Sequence, residues 1–447
     1  MTSIPSRLKA IRLPALGEEK TPPTSGDRLP MIIYGVTLLT VVVGTIAKIS
    51  GHNWRAASQP LFIQLDPAIA AWAVLSVVLI AGSLFAAFRL IRSTFGAPAF
   101  ATSVFGLALL TRLALNVARA GPHDWYRIYE ESPGSEGHLE YLSALPFLNH
   151  GVGHFLDSFA ALVPVLPVHP AGHPPGMVLL IHYLGIDTPQ GLAALTIVVG
   201  ALAVPVLYFL ARRLFDERTA RVAALLCVFV PTSLLYGATS ADALYATLAL
   251  VSAACLLSAR RYVIVIGAIA LAVASFFSYA LIAVGGWAGL IIWRRDGFRP
   301  MLGVAAICGG ALIAFYLVLF LATGFSVTEA IRATNFRYHD GIAHVRPYWF
   351  WFFGSPAAYL IMLGPVGWYA SRSLASRETT ALALAAIILV AVVAGYTKAE
   401  TERIWLFLVP LACLAAARGI PDRSVKPILI ALASQAMLIE VLFNTRW

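Results

Sequence analysis

The sequence predicts an all-α polytopic integral membrane protein with about 13 transmembrane helices. Composition is the first ground: 59% of the 447 residues are hydrophobic and 12% charged, with a mean hydropathy of +0.80. Those values lie far from soluble-domain averages. Length is the second, because many apolar runs approach the roughly 20 residues a helix needs to cross a hydrocarbon core. The third is the sidedness of charge. Lys and Arg gather in alternate short loops, as they do in cytoplasmic segments of membrane proteins.

Taken in order, residues 1–30 are polar and carry no secretory signal, so they read as a cytoplasmic N-terminal tail. Two N-terminal spans follow within 31–97, at 31–49 and 67–88. A membrane core is expected over 98–418, with runs at 98–118, 190–211, 219–236, 240–258, 301–322 and 379–396, and shorter ones at 355–371 and 404–418. The stretch 262–293 is too long for one helix, and "SFFSY" near its middle predicts a helical hairpin. A last span at 425–443 lies within the terminal unit 419–447. Residues 174–186 are apolar but too short to span. They predict a half-helix or re-entrant segment, which is allowed at membrane depth only beside protein or a polar cavity.

An N-terminus in the cytoplasm puts "ARRLFDERTAR", "WRRDGFR" and "RSLASR" inside, and most of the 22 Asp and Glu outside. The C-terminus is then extracytoplasmic, and the expected location is the plasma membrane of the cell. The net charge of +10 reads as basic residues retained in cytoplasmic loops rather than as a nucleic-acid surface. All ten histidines fall on the outer side or its edge, as do the long loops 119–189 and 323–354. An activity of this chain is therefore expected outside. Cys227, Cys255, Cys308 and Cys413 all lie within apolar runs and read as small core residues, not a disulfide or zinc framework.

In the first outer loop, Glu140 opens "EYLSALPFL", a segment that reads as a helix lying on the bilayer surface. A carboxylate there faces a desolvating boundary, which raises its basicity. Glu136 and Asp124 are the other candidates for that role, and a solvated loop is the plain alternative for all of them. Glu136-x-His138-x-Glu140 and His169-x3-His173 compete as divalent-metal ligand sets, although Pro170 and Pro174 argue against a regular helix. No resident cofactor or metal is otherwise expected. Asp242 starts a span at the outer face, either as a helix-start acid meeting the dipole or as a polar group lining a cavity. Lys398, Glu402 and Arg403 share a small outer turn. Arg403 begins an apolar helix, at the level where it would meet a lipid phosphate. No phosphate-cradling or nucleophile-elbow motif stands in a suitable context, so a cytosolic nucleotide donor is not expected.

One ordered set of motifs remains. "SEGHLEYL" carries acids beside Tyr141, "GHPPG" follows, and then come "ARRLF", "FVPTSLLYGATSADALYA" and "ETERIWLFLVP". In order and sidedness this resembles the GT-C superfamily of polytopic glycosyltransferases. That superfamily includes protein O-mannosyltransferases, aminoarabinose transferases and actinobacterial mannosyl- and arabinosyltransferases. The resemblance spans about 98–418, with two departures: Glu stands where an Asp is usual, and two extra spans precede the core. It implies sugar transfer from a polyprenyl-phosphate donor to a glycan, lipid or protein acceptor of the cell envelope. Glu140 would then act as base, while Arg403, Lys398 or His173 steadies the phosphate. The competing expectation is a secondary transporter, or a lipid-linked glycan carrier or flippase, which also uses broken helices near a polar site.

Overall fold

The computed structural model describes residues 27–132 and 136–445. Most of the expected N-terminal tail, residues 1–26, lies outside the described residues, as do 446–447. The chain is 76% helical, which makes the fold all-α. Its only described sheet is a clasp of two strands, Gln64–Leu65 antiparallel to Phe443–Asn444.

Among the described residues, six helices are long and apolar enough to cross a membrane. They are Arg28–Ile49, Trp72–Leu90, Ala97–Asn116, Pro189–Leu214, Phe298–Thr323 and Asp422–Leu442. Counting each bent pair as one span raises the number to eight. This is fewer than the thirteen expected, because several apolar runs form short or broken helices. The 219–236 run divides at Pro231 into Glu217–Phe229 and Pro231–Thr239, bent by 56°. Proline offers no N–H to the preceding turn, so a new helix begins there. The 262–293 run is a hairpin, Arg261–Ser275 and Ile282–Asp296, joined through the 3-10 turn Tyr279–Leu281.

The run expected at 355–371 is corrected. Its helix starts earlier, at Tyr348, and stops at Leu363; the next, Pro365–Ala375, leaves at 114°. Gly364 makes the corner at φ +53° and ψ −133°, a conformation that side-chain-bearing residues avoid. The segment 323–354, expected as a long outer loop, contains the helix Val327–Asp340. "EYLSALPFL" forms a 3-10 helix, Tyr141–Leu148, with Pro146 inside it. Residues 174–186 form the short helix Gly176–Tyr183.

The densest packing lies at Pro231–Thr239 and Val409–Ala417, in which every residue is buried. At the other extreme, Phe298–Thr323 has a mean hydropathy of 2.5 and no buried residue. A helix that apolar and that bare requires an apolar surrounding. Arg112, inside Ala97–Asn116, is buried and donates from Nη1 to the Ile197 carbonyl at 3.4 Å. Gly237 makes room for it: a Cβ there would lie 2.5 Å from Arg112 Nε. All four cysteines are free thiols.

The two ends of the fold meet at Arg119. Its Nη1 donates to the carbonyls of Glu440 (3.0 Å) and Phe443 (2.7 Å). Its Nη2 donates to the carbonyl and the Oδ2 of Asp66, both at 2.8 Å. Arg119→Ala is expected to destabilise the protein by about 1.5–3 kcal/mol, since charged hydrogen bonds are lost and buried carbonyls are left without donors. A lowered thermal midpoint, with faster hydrogen exchange at 441–445, is the expected result. An unchanged midpoint would show the clasp to be unimportant.

Candidate active site

The site gathers at one end of the bundle, where the Asp242–Leu256 helix begins. Ser240 is extended and ends the preceding helix. Its hydroxyl donates to Asp242 Oδ2 at 2.7 Å and accepts from the Asp242 N–H at 3.1 Å. This local turn fixes the acid in the first turn of its helix, where the dipole favours negative charge. One turn on, Tyr245 shares that face, and its hydroxyl lies 2.8 Å from the hydroxyl of Tyr141.

Glu140 links two 3-10 helices, Gly137–Leu139 and Tyr141–Leu148, in an extended conformation that sends the chain into the protein. It is 4% exposed. The nearest basic side chain is His169, whose Nε2 is 3.6 Å from Glu140 Oε1. His169 sits in the one-turn helix Val168–Gly172. The backbone carbonyl of His169 lies 3.1 Å from His173 Nδ1. His173 is extended, and Pro174 and Pro175 then open Gly176–Tyr183. The rings of His169 and His173 each lie 6.4 Å from Tyr141, and His173 lies 5.6 Å from Tyr245.

Arg403 approaches from the short helix Thr401–Ile404. Its Nε is 3.7 Å from Asp242 Oδ2, and its Nη2 is 3.7 Å from Glu400 Oε2. Both distances exceed hydrogen-bond length, so the attraction is mainly that of charge across a buried site. Glu400 is held by Arg346, which donates to its Oε1 at 2.7 Å and to the Lys398 carbonyl at 2.6 Å. Ala399 and Glu400 have φ of +68° and +63°. Consecutive left-handed residues with side chains are costly, and Arg346 is the clamp that holds this turn.

These neighbours set the proton affinities. Burial pushes Glu140 up from 4.5 to about 8; Arg403 pulls the other way, while Asp242 and Glu136 add to the rise. Half-buried Glu136 is also raised, by burial against the pull of Arg403. Burial, then Arg403, holds His169 well below the usual imidazole value, and burial lowers His173. Burial alone would weaken the charge of Arg403, but Asp242, Glu400 and Glu140 more than restore it. A protonatable carboxylate, two neutral imidazoles and a permanent cation therefore share one buried cluster.

Of the residues singled out in the sequence, Glu140, Tyr141, His173, Asp242 and Arg403 come together, with Glu136 at the edge. Three others are committed elsewhere. Asp124 Oδ2 accepts from the Ala120 N–H at 2.7 Å, closing the turn beyond the first core helix. Lys398 Nζ donates to the Ala343 carbonyl at 3.1 Å. Glu402 Oε1 accepts from the Phe62 N–H at 2.5 Å and ties in the N-terminal segment, while burial raises the Glu402 carboxyl to about 7.

Sequence reasoning did not assign His169 to Glu140, Tyr245 to Tyr141, or Arg346 to Glu400. Tyr245 was within reach as the residue three beyond Asp242. Arg346 was hidden by the aromatic run that follows it. Among the described residues, no group of three or more His, Cys, Asp or Glu is arranged to hold a metal ion. His138 of the Glu136–Glu140 motif is exposed.

No protein-family model matches the chain, and no curated protein matches it. Fold and geometry thus define the class directly: an all-α protein with apolar, membrane-length helices and a buried carboxylate–imidazole–guanidinium site.

Proposed function

We propose that the chain is an inverting glycosyltransferase of GT-C type, moving a sugar from a polyprenyl-phosphate donor to a cell-envelope acceptor. The observation that carries the reading is Glu140, buried and raised to about 8, beside the ion pair of Arg403 and Asp242. The leaving group is a lipid phosphate monoester with a second pKa of about 6, so it departs without a general acid. One carboxylate then suffices as base. Glu140 takes the acceptor's hydroxyl proton as the new C–O bond forms. The electron pair of the breaking bond goes to the phosphate oxygen, whose charge Arg403 steadies. Attack opposite the leaving group inverts the anomeric centre. His173, at the head of Gly176–Tyr183, belongs to the same cluster through Tyr141 and Tyr245.

The proposed setting is the plasma membrane, N-terminus inside and site outside, with thirteen apolar segments embedded and the Gly364 corner forming a broken span. A reporter placed in the turn 212–218 is expected on the cytoplasmic side, and one fused after Trp447 on the outside. Both on one side would refute the topology. Activity is tested by incubating the full chain in nanodiscs with prenyl-phosphate hexoses and pentoses and with glycan and glycolipid acceptors. The expected result is a product of inverted configuration; no transfer from any donor counts against the reading.

The bent helix pairs favour a second reading, a secondary transporter or a carrier or flippase of lipid-linked glycan. It predicts that the lipid-linked sugar crosses or is carried and is recovered intact.

A further inference from the structure

We propose that His169 is a proton relay that clears Glu140 after each turnover and delivers its proton to the outer solvent. The inference rests on the reading of Glu140 as base and names a step beyond it. A buried base that has taken a proton must lose it before it can act again, and Glu140, with a side chain 5% exposed, has little direct contact with water. His169 lies 3.6 Å away with a side chain 14% exposed, the more open end of the pair. Hydrogen bonds of this kind are often long in the free enzyme and tighten in the complex. Among the described residues, no other acid pairs with this imidazole.

The surroundings suit a relay rather than a second base. The charged and titratable groups facing the pair are Glu136 and Tyr141 from the same loop, His173 from the adjoining turn, and Tyr129 from the segment after the first core helix. Asp242, Tyr245 and Arg403 complete the set from the packed helices. Burial and Arg403 keep His169 neutral at rest, and the tautomer with its proton on Nδ1 presents Nε2 to Glu140 as an acceptor. Sugar transfer then changes the balance. The leaving phosphate gains a negative charge that offsets Arg403 for both groups, which lets the imidazole accept the proton transiently and hand it on to water although Glu140 holds it more tightly. The proton passes from Glu140 Oε1 to His169 Nε2 and then to water. Glu140 returns to its carboxylate, and no other bond changes.

The test compares wild type, His169→Gln, His169→Ala and Glu140→Gln, as full chains in nanodiscs with the prenyl-phosphate donors and acceptors above. Gln can still donate a hydrogen bond to Glu140 but cannot carry a proton. His169→Gln is expected to complete a first turnover at the wild-type rate. Its steady-state rate should then fall by about tenfold or more, within the usual range for lost proton transfer. Added imidazole should restore turnover in His169→Ala, whose cavity admits it. A wild-type steady state in His169→Gln overturns the relay, as does loss of its first turnover, or failure of imidazole to rescue. Inert wild type instead removes the glycosyltransferase reading, and wild-type transfer by Glu140→Gln removes Glu140 as the base; the relay stands on both.

Discussion

Glu140→Gln is expected to lower sugar transfer by about 10²-fold or more, because the amide keeps the shape of the side chain but cannot take a proton. Donor binding should survive, since the proposed mechanism gives the phosphate to Arg403 rather than to Glu140. The carboxyl is raised to about 8, so the base is mostly protonated at neutral pH. The wild-type rate should climb tenfold per pH unit below that value and level off above it. Stability runs the other way. The proton affinity rises from 4.5 in the free side chain to about 8 in the folded protein. Folding therefore takes up a proton; the stability this contributes is full below about 4.5 and is lost as pH rises through about 8. The loss is on the order of a few kcal/mol. Glu140→Gln should consequently melt higher than wild type at pH 8 while being nearly inactive. Wild-type transfer rates in the variant would remove Glu140 from the mechanism.

The second large effect is expected at Arg403. If Arg403 holds the phosphate as proposed, Arg403→Ala removes a charge-assisted contact of about 1.5–3 kcal/mol, which converts to roughly 10- to 100-fold weaker binding of a sugar-free prenyl phosphate. It also leaves Asp242 without its cationic partner, while Glu400 keeps Arg346, so the thermal midpoint should drop. A third signature separates the two effects. Arg403 pulls down the proton affinity of Glu140, so its removal should shift the pH–rate profile to higher pH. Arg403→Lys should fall between, keeping the charge but not the planar fork. Unchanged lipid affinity together with an unmoved profile would contradict the assignment.

Much of this was legible in the sequence because the membrane constrains it strongly. Apolar runs and loop charges point to an all-α chain, and the hairpin at 262–293 and the short helix after Pro175 are present. Helix breaks were harder to read. Gly364 with Pro365 turns the chain by 114°, but within an apolar run the pair looks like an ordinary interruption. Pro231 could equally have kinked a single span. At the site, Glu140, Asp242 and Arg403 could be singled out because acids and arginines at span edges are costly and need a reason. Their partners could not. His169 and Glu140 are brought together by the folding of one long segment of short helices, and no periodicity links residues 29 apart across it. Lys398 and Glu402 stand in the same short turn as Arg403, and their contacts with the Ala343 and Phe62 backbones could not be read from sequence. Left-handed backbone at Ala399 and Glu400 carries no Gly signature, so the clamp by Arg346 was invisible.

The central claim is that the buried cluster around Glu140 and Arg403 receives a prenyl-phosphate head group, and a cryo-electron microscopy structure of the full chain with a sugar-free prenyl phosphate tests it most directly. The account predicts phosphate density within hydrogen-bond distance of the Arg403 guanidinium, with Glu140 facing the oxygen that would carry the sugar and the isoprenoid leaving toward the bilayer. Head-group density at the opposite end of the bundle, or at this end but away from both side chains, would contradict it.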